Sequence, residues 1–250
     1  MKTAVVIPSR YGSTRFPGKP LALINGKPLI QCVLERVSLC KNIDAIAVAT
    51  DDKRIYDAVK KMGYAVFMTP TACKSGTDRI AFAAKKYLKG YGVFINVQGD
   101  EPLIDPVLID KLAQELRKDR KLKYITAAYP VKKSEDVKNP NIVKVIFDKK
   151  GYAVYFSRSV IPYNRDNRKI KYYKHLGIYG YKKDFLLDFS AGKTSMLERA
   201  ENLEQLRAIE NGHKIKVIIS KKDSIGVDVP EDIEKVIRVR GTGEMTEFRS

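Results

Sequence analysis

The chain of 250 residues is predicted to be an α/β protein: a mostly parallel mixed sheet flanked by helices, with an antiparallel excursion in its second half. Three observations predict this. In the first half, short apolar runs alternate with amphipathic helical patterns, and parallel strands need such crossover connections. From about residue 124 the texture changes to period-two alternation, the mark of antiparallel strands. The composition, 44% hydrophobic, is enough for one large domain spanning residues 1–250 with a smaller subregion at about 124–195.

The elements follow in order. "KTAVVIP" (Lys2 to Pro8) is a nearly continuous apolar run, as expected of a strand buried on both faces. In "LALINGKPLI", Asn25-Gly26 marks a tight turn and Pro28 suits a first helical position. Leu29, Ile30, Val33, Leu34 and Val37 continue at helical spacing. "IDAIAVAT" reads as a strand, "DDKRIYDAVKKMG" as a helix closed by Gly63, and "YAVFM" as a strand. Ser75 and Asp78 have capping-box spacing, so a helix starts at "SGTDR". "GVFINV" is a strand ended by "QGDEPLIDP", followed by a helix from about Val107 to Lys118.

In the second half "KYITAAYPV", "NIVKVIFDKKGYAVYFSRS" and "HLGIYGYK" read as strands, with Asp148 to Gly151 as a hairpin turn. The polar stretch from Arg165 to Lys174 reads as a mobile loop. A single helix is expected from about Ser195 to Asn211, then a strand "KIKVIIS" and a last helix in "VPEDIEKVIRV". The tail from Gly241 carries little pattern.

Lysine and arginine outnumber acids by 47 to 29, a net charge of +18, which favours anionic partners. The lysines are spread along helices and turns, whereas a nucleic-acid binder concentrates them in a stripe or arm. Cys32, Cys40 and Cys73 have no metal spacing and read as buried apolar residues in a reducing compartment. No run long enough to span a membrane and no secretory signal is evident, so the expected location is cytoplasmic.

The loop "SRYGSTRFPGKP" departs from a P-loop. Gly12 and Gly18 are separated by five residues rather than four, and Lys19 is followed by Pro20, which has no hydroxyl for a metal. Arg10, Arg15 and Lys19, interleaved with Gly12, Ser13 and Gly18, suit a triphosphate; a solvated basic loop is the competing reading. Magnesium for such a triphosphate would need carboxylates from elsewhere. Asp100 follows a buried strand, with Gly99 permitting close backbone approach, and Asp228 stands in an apolar setting between Val227 and Val229. Either aspartate alone could equally be a helix cap or turn residue.

"IPSRYGSTRFPGKPL", "ATDD", "SGTDR", "NVQGDEP", "FSRS", "HLGIYGY", "LEQLR" and "GVDVPED" together resemble the 3-deoxy-manno-octulosonate cytidylyltransferases, or CMP-Kdo synthetases, from Ile7 to Asp232. The resemblance implies a Rossmann-like fold of the nucleotide-diphospho-sugar transferase type. It implies Mg²⁺-dependent transfer of CMP from CTP to the anomeric hydroxyl of Kdo, releasing pyrophosphate, in lipopolysaccharide synthesis. Arg10, Arg15 and Lys19 would bind the triphosphate, and Ser75, Gly76 and Arg79 the cytidine part. Asp100 and Asp228 would carry Mg²⁺, making Arg15, Lys19, Asp100 and Asp228 the catalytic set. Gln98, Arg158, His175, Tyr179, Glu204 and Gln205 would line the sugar-acid pocket, with Arg158 gripping the carboxylate. The resemblance also implies a homodimer formed through the antiparallel half.

Ser13 and Phe16 depart from the usual residues of that family, and the 165–174 loop is short. Two other readings stand beside the leading one. A cytidylyltransferase for amino-substituted Kdo or sialic acid is one; a nucleic-acid-binding α/β protein is the other.

Overall fold

The computed structural model describes residues 1–12 and 15–241; Ser13 and the tail after Gly241 lie outside the described residues. β1 (Thr3–Ser9) is buried along its whole length. Val5 and Ile7 enter one apolar cluster, while Ala4 and Val6 enter another on the opposite face. That is why the run shows no polar alternation. A 3₁₀ turn at Lys19–Leu21 leads to a small hairpin, β2 (Leu23–Ile24) and β3 (Lys27–Pro28). Asn25 (φ 49°) and Gly26 (φ 79°) form its turn, both left-handed as the Asn-Gly pair predicts. Pro28 precedes α1 (Leu29–Val37) as its N-cap rather than sitting inside the first turn.

β4 (Ala45–Thr50), α2 (Lys53–Lys61), β5 (Ala65–Met68), α3 (Gly76–Lys86), β6 (Val93–Asn96) and α4 (Pro106–Lys118) follow. The capping box of α3 is complete, with Asp78 N to Ser75 Oγ and Ser75 N to Asp78 Oδ2 both 3.1 Å. Next come β7 (Tyr124–Pro130), α5 (Ser134–Lys138), β8 (Lys144–Phe147), β9 (Ala153–Ser157) and β10 (Tyr173–Lys182). The chain closes through α6 (Lys183–Ala191), α7 (Met196–Glu201), α8 (Gln205–Glu210), β11 (Lys216–Ile219) and α9 (Asp232–Gly241).

The main path of the sheet runs β11-β7-β10-β6-β1-β4-β5. β10 is antiparallel to both β6 and β7, while the other pairs on that path are parallel. The excursion therefore supplies a central strand of the sheet, and only the β8–β9 ribbon stands off it, joined to β10 through Lys144 and Lys174. α1, α2 and α4 cover one face; α3, α6 and α8 cover the other. Gly180 explains how β10 fits the middle. A Cβ there would meet Ile125 Cγ2 and Leu116 Cδ1 at 2.7 Å and Ile95 Cδ1 at 2.9 Å.

Several expectations are corrected. The single helix from Ser195 to Asn211 is two helices, because Asn202 adopts a left-handed conformation (φ 52°) after α7. Asn tolerates that conformation, and helical periodicity does not register one residue out of phase. α6 went unread because it continues directly from β10 without a glycine, a proline or a side-chain cap to announce it. Tyr173 and Lys174, assigned to the mobile loop, belong to β10, and Lys174 pairs with Asp223 at 2.7 Å. Of the cysteines, only Cys32 is fully buried.

Candidate active site

The site lies at the carboxyl ends of β1 and β6, the position where ligands bind in open α/β sheets. The loop leaving β1 is braced before it reaches the cavity. Gly18 is left-handed (φ 73°), its N–H donates to Tyr11 O at 2.9 Å, and a Cβ there would lie 2.9 Å from Tyr11 Oη. The Tyr11 ring is itself covered by the Arg54 guanidinium, 3.3 Å from its centroid, and Arg54 is forked onto Asp52. The 3₁₀ turn then aims Lys19 inward.

Lys19 Nζ donates to Asp100 Oδ2 at 2.5 Å and to Val227 O at 2.8 Å, and lies 3.8 Å from Asp228 Oδ1. Arg15 Nη2 reaches the same Asp228 Oδ1 at 3.0 Å. Asp100 arrives here because Gly99 lets "QGDEP" pass close to β1; a Cβ at Gly99 would stand 3.2 Å from Pro8 O. Asp228 is brought by a strap along the same segment, with Val227 N donating to Asp100 O at 2.9 Å. Asp232 Oδ2 accepts from the backbone of Asp228 and Val229, fixing the turn before α9. Asp228 is more than half exposed, so the apolar setting expected from its flanking valines is not realised. Val227 alone is buried.

Arg10, Arg15, Lys19, Ser75, Gly76, Arg79, Gln98, Asp100 and Asp228 all line one cavity of about 280 Å³. Ser75 and Gly76 present the amino terminus of α3 to it, where free backbone N–H groups and the helix dipole favour an anion. Arg79 is different in kind from the other cations. Its guanidinium is buried and committed to Asp51 Oδ2 at 2.5 Å and Thr69 Oγ1 at 2.6 Å, so it contributes an edge to the cavity and holds its wall.

Among the described residues no group of three acidic, His or Cys side chains could cage a metal alone. Two carboxylate oxygens gathered around one ammonium fit an ion that takes one or two carboxylates and completes its shell with phosphate and water oxygens, as Mg²⁺ does. Asp100 and Asp228 could hold it.

Of the remaining candidates, Gln98 lines this cavity, whereas His175, Tyr179, Glu204, Gln205 and Arg158 do not. Gln98 Nε2 donates to Asn96 Oδ1, and a Cβ at Gly177 of β10 would lie 3.7 Å from the Gln98 Cγ. His175 Nε2 lies 2.9 Å from Thr126 Oγ1, with Phe156 edge-on at 5.0 Å and Tyr179 at 5.3 Å. Burial pushes its pKa down to about 3, so the ring is neutral at working pH. Tyr179 Oη donates to Gln205 Oε1 at 3.3 Å, and Gln205 is buried rather than on a solvated helix face. Its Nε2 is a buried donor without a hydrogen-bond partner among the described residues, as is Ser9 Oγ at the cavity edge. Glu204 Oε2 accepts from Thr77 Oγ1 at 2.5 Å, so α8 is tied to the first turn of α3. Tyr181, by contrast, packs: it is fully buried and stacks on Tyr124 at 4.8 Å. Arg158 lies beyond β9, with Nε donating to Glu201 O at 2.8 Å and Nη1 to Pro140 O at 3.1 Å. A carboxylate would have to take the Nη2 side of its fork.

A family model described as Cytidylyltransferase matches residues 4–215. A 3-deoxy-manno-octulosonate cytidylyltransferase of Thermodesulfovibrio yellowstonii is 51% identical over 246 residues, covering 94% of this chain and 96% of the relative. The chain belongs to the 3-deoxy-manno-octulosonate cytidylyltransferase family. Shewanella putrefaciens has a relative named 8-amino-3,8-dideoxy-manno-octulosonate cytidylyltransferase, 50% identical, covering 94% of this chain and 97% of the relative. A solved CMP:2-keto-3-deoxy-manno-octonic acid synthetase complexed with CTP superposes with a TM-score of 0.91 at 41% identity, covering 97% of this chain and 99% of the other. A 4-diphosphocytidyl-2C-methyl-D-erythritol synthase from Anaerococcus prevotii (TM-score 0.66, 18% identity) covers 96% of each chain and shares the fold.

For a member of this cytidylyltransferase family, sequence reasoning left several site residues unnamed. Lys74 lines the cavity as a further cation, and Cys73 lines it rather than being buried as expected. Asp51, within the quoted "ATDD", is the counter-ion of Arg79. Glu101 lies behind Asp100 and accepts from Ser224 Oγ, holding the strap that carries Asp228. Burial, reinforced by the Asp100 charge, pushes Glu101 up to about 7. Only Asp51 and Glu101 carried a signal, their place inside motifs; Lys74 and Cys73 reach the cavity through the loop before α3.

Proposed function

We propose that this chain transfers CMP from CTP to the anomeric hydroxyl of 3-deoxy-D-manno-octulosonate, giving CMP-Kdo and pyrophosphate for lipopolysaccharide synthesis. The observation that carries the reading is Lys19, which spans Asp100 and Asp228 inside the cavity bordered by Arg10, Arg15 and the amino terminus of α3. Cations for a leaving pyrophosphate and carboxylates for a metal therefore share one small space.

The residues divide the work of an in-line displacement at the α-phosphorus. Arg10, Arg15 and Lys74 balance the triphosphate charge, and the α3 amino terminus with Ser75 and Gly76 orients the nucleotide. Asp100 and Asp228 would hold Mg²⁺, which would leave Lys19 to pair with phosphate oxygens. A metal held there would supply charge neutralisation on the phosphates and would make the attacking hydroxyl more acidic. The acceptor oxygen bonds to the α-phosphorus, the bond to the β-phosphate oxygen breaks, and the hydroxyl proton passes to solvent. His175 is no base for this step, since its pKa near 3 makes it too weak. It serves as a neutral hydrogen-bonding wall with Tyr179, Gln98, Glu204 and Gln205. Arg158 receives the sugar-acid carboxylate on its remaining edge.

The 50% identical relatives named for the 8-amino sugar favour that acceptor as the second reading. Pyrophosphate release with CTP against Kdo, 8-amino-Kdo and sialic acid, with and without Mg²⁺, tests both. The proposal expects turnover with Kdo that depends on the metal; selective turnover of the amino sugar supports the second reading, and no release with any of them sinks both. The working form is taken to be a cytoplasmic homodimer contacting through residues 124–195, for which solution mass is the test. No helix among the described residues is long and apolar enough to cross a membrane.

A further inference from the structure

α7 and α8 are six residues each, too short to hold a shape by themselves, and they meet at the left-handed Asn202. Leu197 N of α7 donates to Glu210 Oε2 of α8 at 2.8 Å, and the second tie between them is Arg207, a residue of the "LEQLR" motif to which no site role has been attached so far. It is buried, with its guanidinium over the Phe189 ring at 4.6 Å. Its donors are all engaged. Nε and Nη2 fork onto Glu198 Oε2 (2.8 Å) and Oε1 (2.9 Å), and Nη1 donates to Phe189 O (2.9 Å) and Gly192 O (3.2 Å). The remaining Nη2 donation goes to Glu204 Oε1 at 3.2 Å. Glu204 is thereby strung between two elements, since its other oxygen accepts from Thr77 Oγ1 on α3. The next residue, Gln205, receives the Tyr179 hydroxyl.

We propose that Arg207 is the positioning residue of the acceptor wall: it holds Glu204 against Thr77 and so fixes where Glu204 and Gln205 present their polar atoms to the sugar acid. The inference rests on the reading of those two residues as acceptor-binding. It also has an electrostatic consequence. Burial raises the Glu204 pKa, while Thr77, Ser75 and the Arg207 charge lower it and Asp78 raises it further. Burial foremost, with the same carboxylate adding to it, raises the hydroxyl pKa values of Tyr124, Tyr179 and Tyr181 and keeps them protonated. Arg207 thus helps keep Glu204 an anion that can accept hydrogen bonds from a polyol.

The test uses the full chain with Arg207→Gln, Glu204→Ala and the double variant, following pyrophosphate release as sugar acid or CTP is varied. Arg207→Gln should lower kcat/KM for the sugar acid by about tenfold while leaving KM for CTP within about twofold. The acid limb of the sugar-acid profile should move to higher pH, because Glu204 has lost its cation. In the Glu204→Ala background the same change should add little, since residues acting through one another are non-additive. Additive losses, equal losses for both substrates, or an unmoved acid limb would overturn the role. If Arg207→Gln does not fold, Arg207→Lys, which keeps the charge without the fork, is compared by the same substrate split and additivity. If Glu204→Ala leaves sugar-acid kinetics unchanged, the acceptor-wall reading itself falls and takes this inference with it. If that variant is impaired but Arg207 is additive, only the positioning role falls.

Discussion

His175→Gln should make the protein less sensitive to acid, and the size of the effect follows from the structure. The imidazole is enclosed by Phe156 and Tyr179 on β9 and β10, with its Nε2 on Thr126, and burial holds its pKa at about 3. In the unfolded chain a histidine titrates near ~6.5. Below that value the unfolded state binds a proton that the folded state refuses, so stability falls as pH falls. The contribution is whole above the unfolded value and drains away between it and the folded one. Each unit costs about 1.4 kcal/mol, so reaching about pH 5 costs about 2 kcal/mol through this residue. That figure holds for any folded pKa below about 5. Glutamine keeps a polar group within reach of Thr126 but cannot be protonated. Urea unfolding at about pH 7.5 and about pH 5 should show the parent losing about 2 kcal/mol more than the variant between the two conditions. Equal losses, or an NMR titration placing the His175 midpoint near its ordinary value, would refute the reasoning.

Three further outcomes are expected. Lys19→Met should reduce kcat/KM for CTP by about 10²–10³, the loss typical of a group that stabilises developing charge, as read by pyrophosphate release. Unchanged turnover would remove Lys19 from the chemistry. Asp100→Asn should abolish most Mg²⁺-dependent turnover while circular dichroism stays native; near-normal rates in a folded variant would exclude Asp100 as a metal ligand. Gly180→Ala should destabilise the protein by about 1–3 kcal/mol through overpacking against Ile125, Leu116 and Ile95, with no change in KM at temperatures where it remains folded. A melting temperature equal to the parent's would show that β10 can move aside.

The alternation of strands and helices was legible because its causes are local: apolar period, capping residues such as Ser75 with Asp78, and the Asn25-Gly26 turn. The break at Asn202 and the direct passage from β10 into α6 were not, since the first is one left-handed residue that periodicity does not register and the second has no glycine, proline or side-chain cap to announce it. The same division runs through the site. The basic loop could be read as made for phosphate, and Asp100 and Asp228 as carboxylates for a metal, from residue type and motif. Their meeting is a long-range fact. It needs β6 beside β1, Gly99 passing close to Pro8, and the strap that fastens Val227 to Asp100. Local chemistry wrote the residues' capabilities into the chain, whereas the pairing of charges more than 80 residues apart, Lys19 with Asp100 foremost, was decided by which strands the core forced to be neighbours.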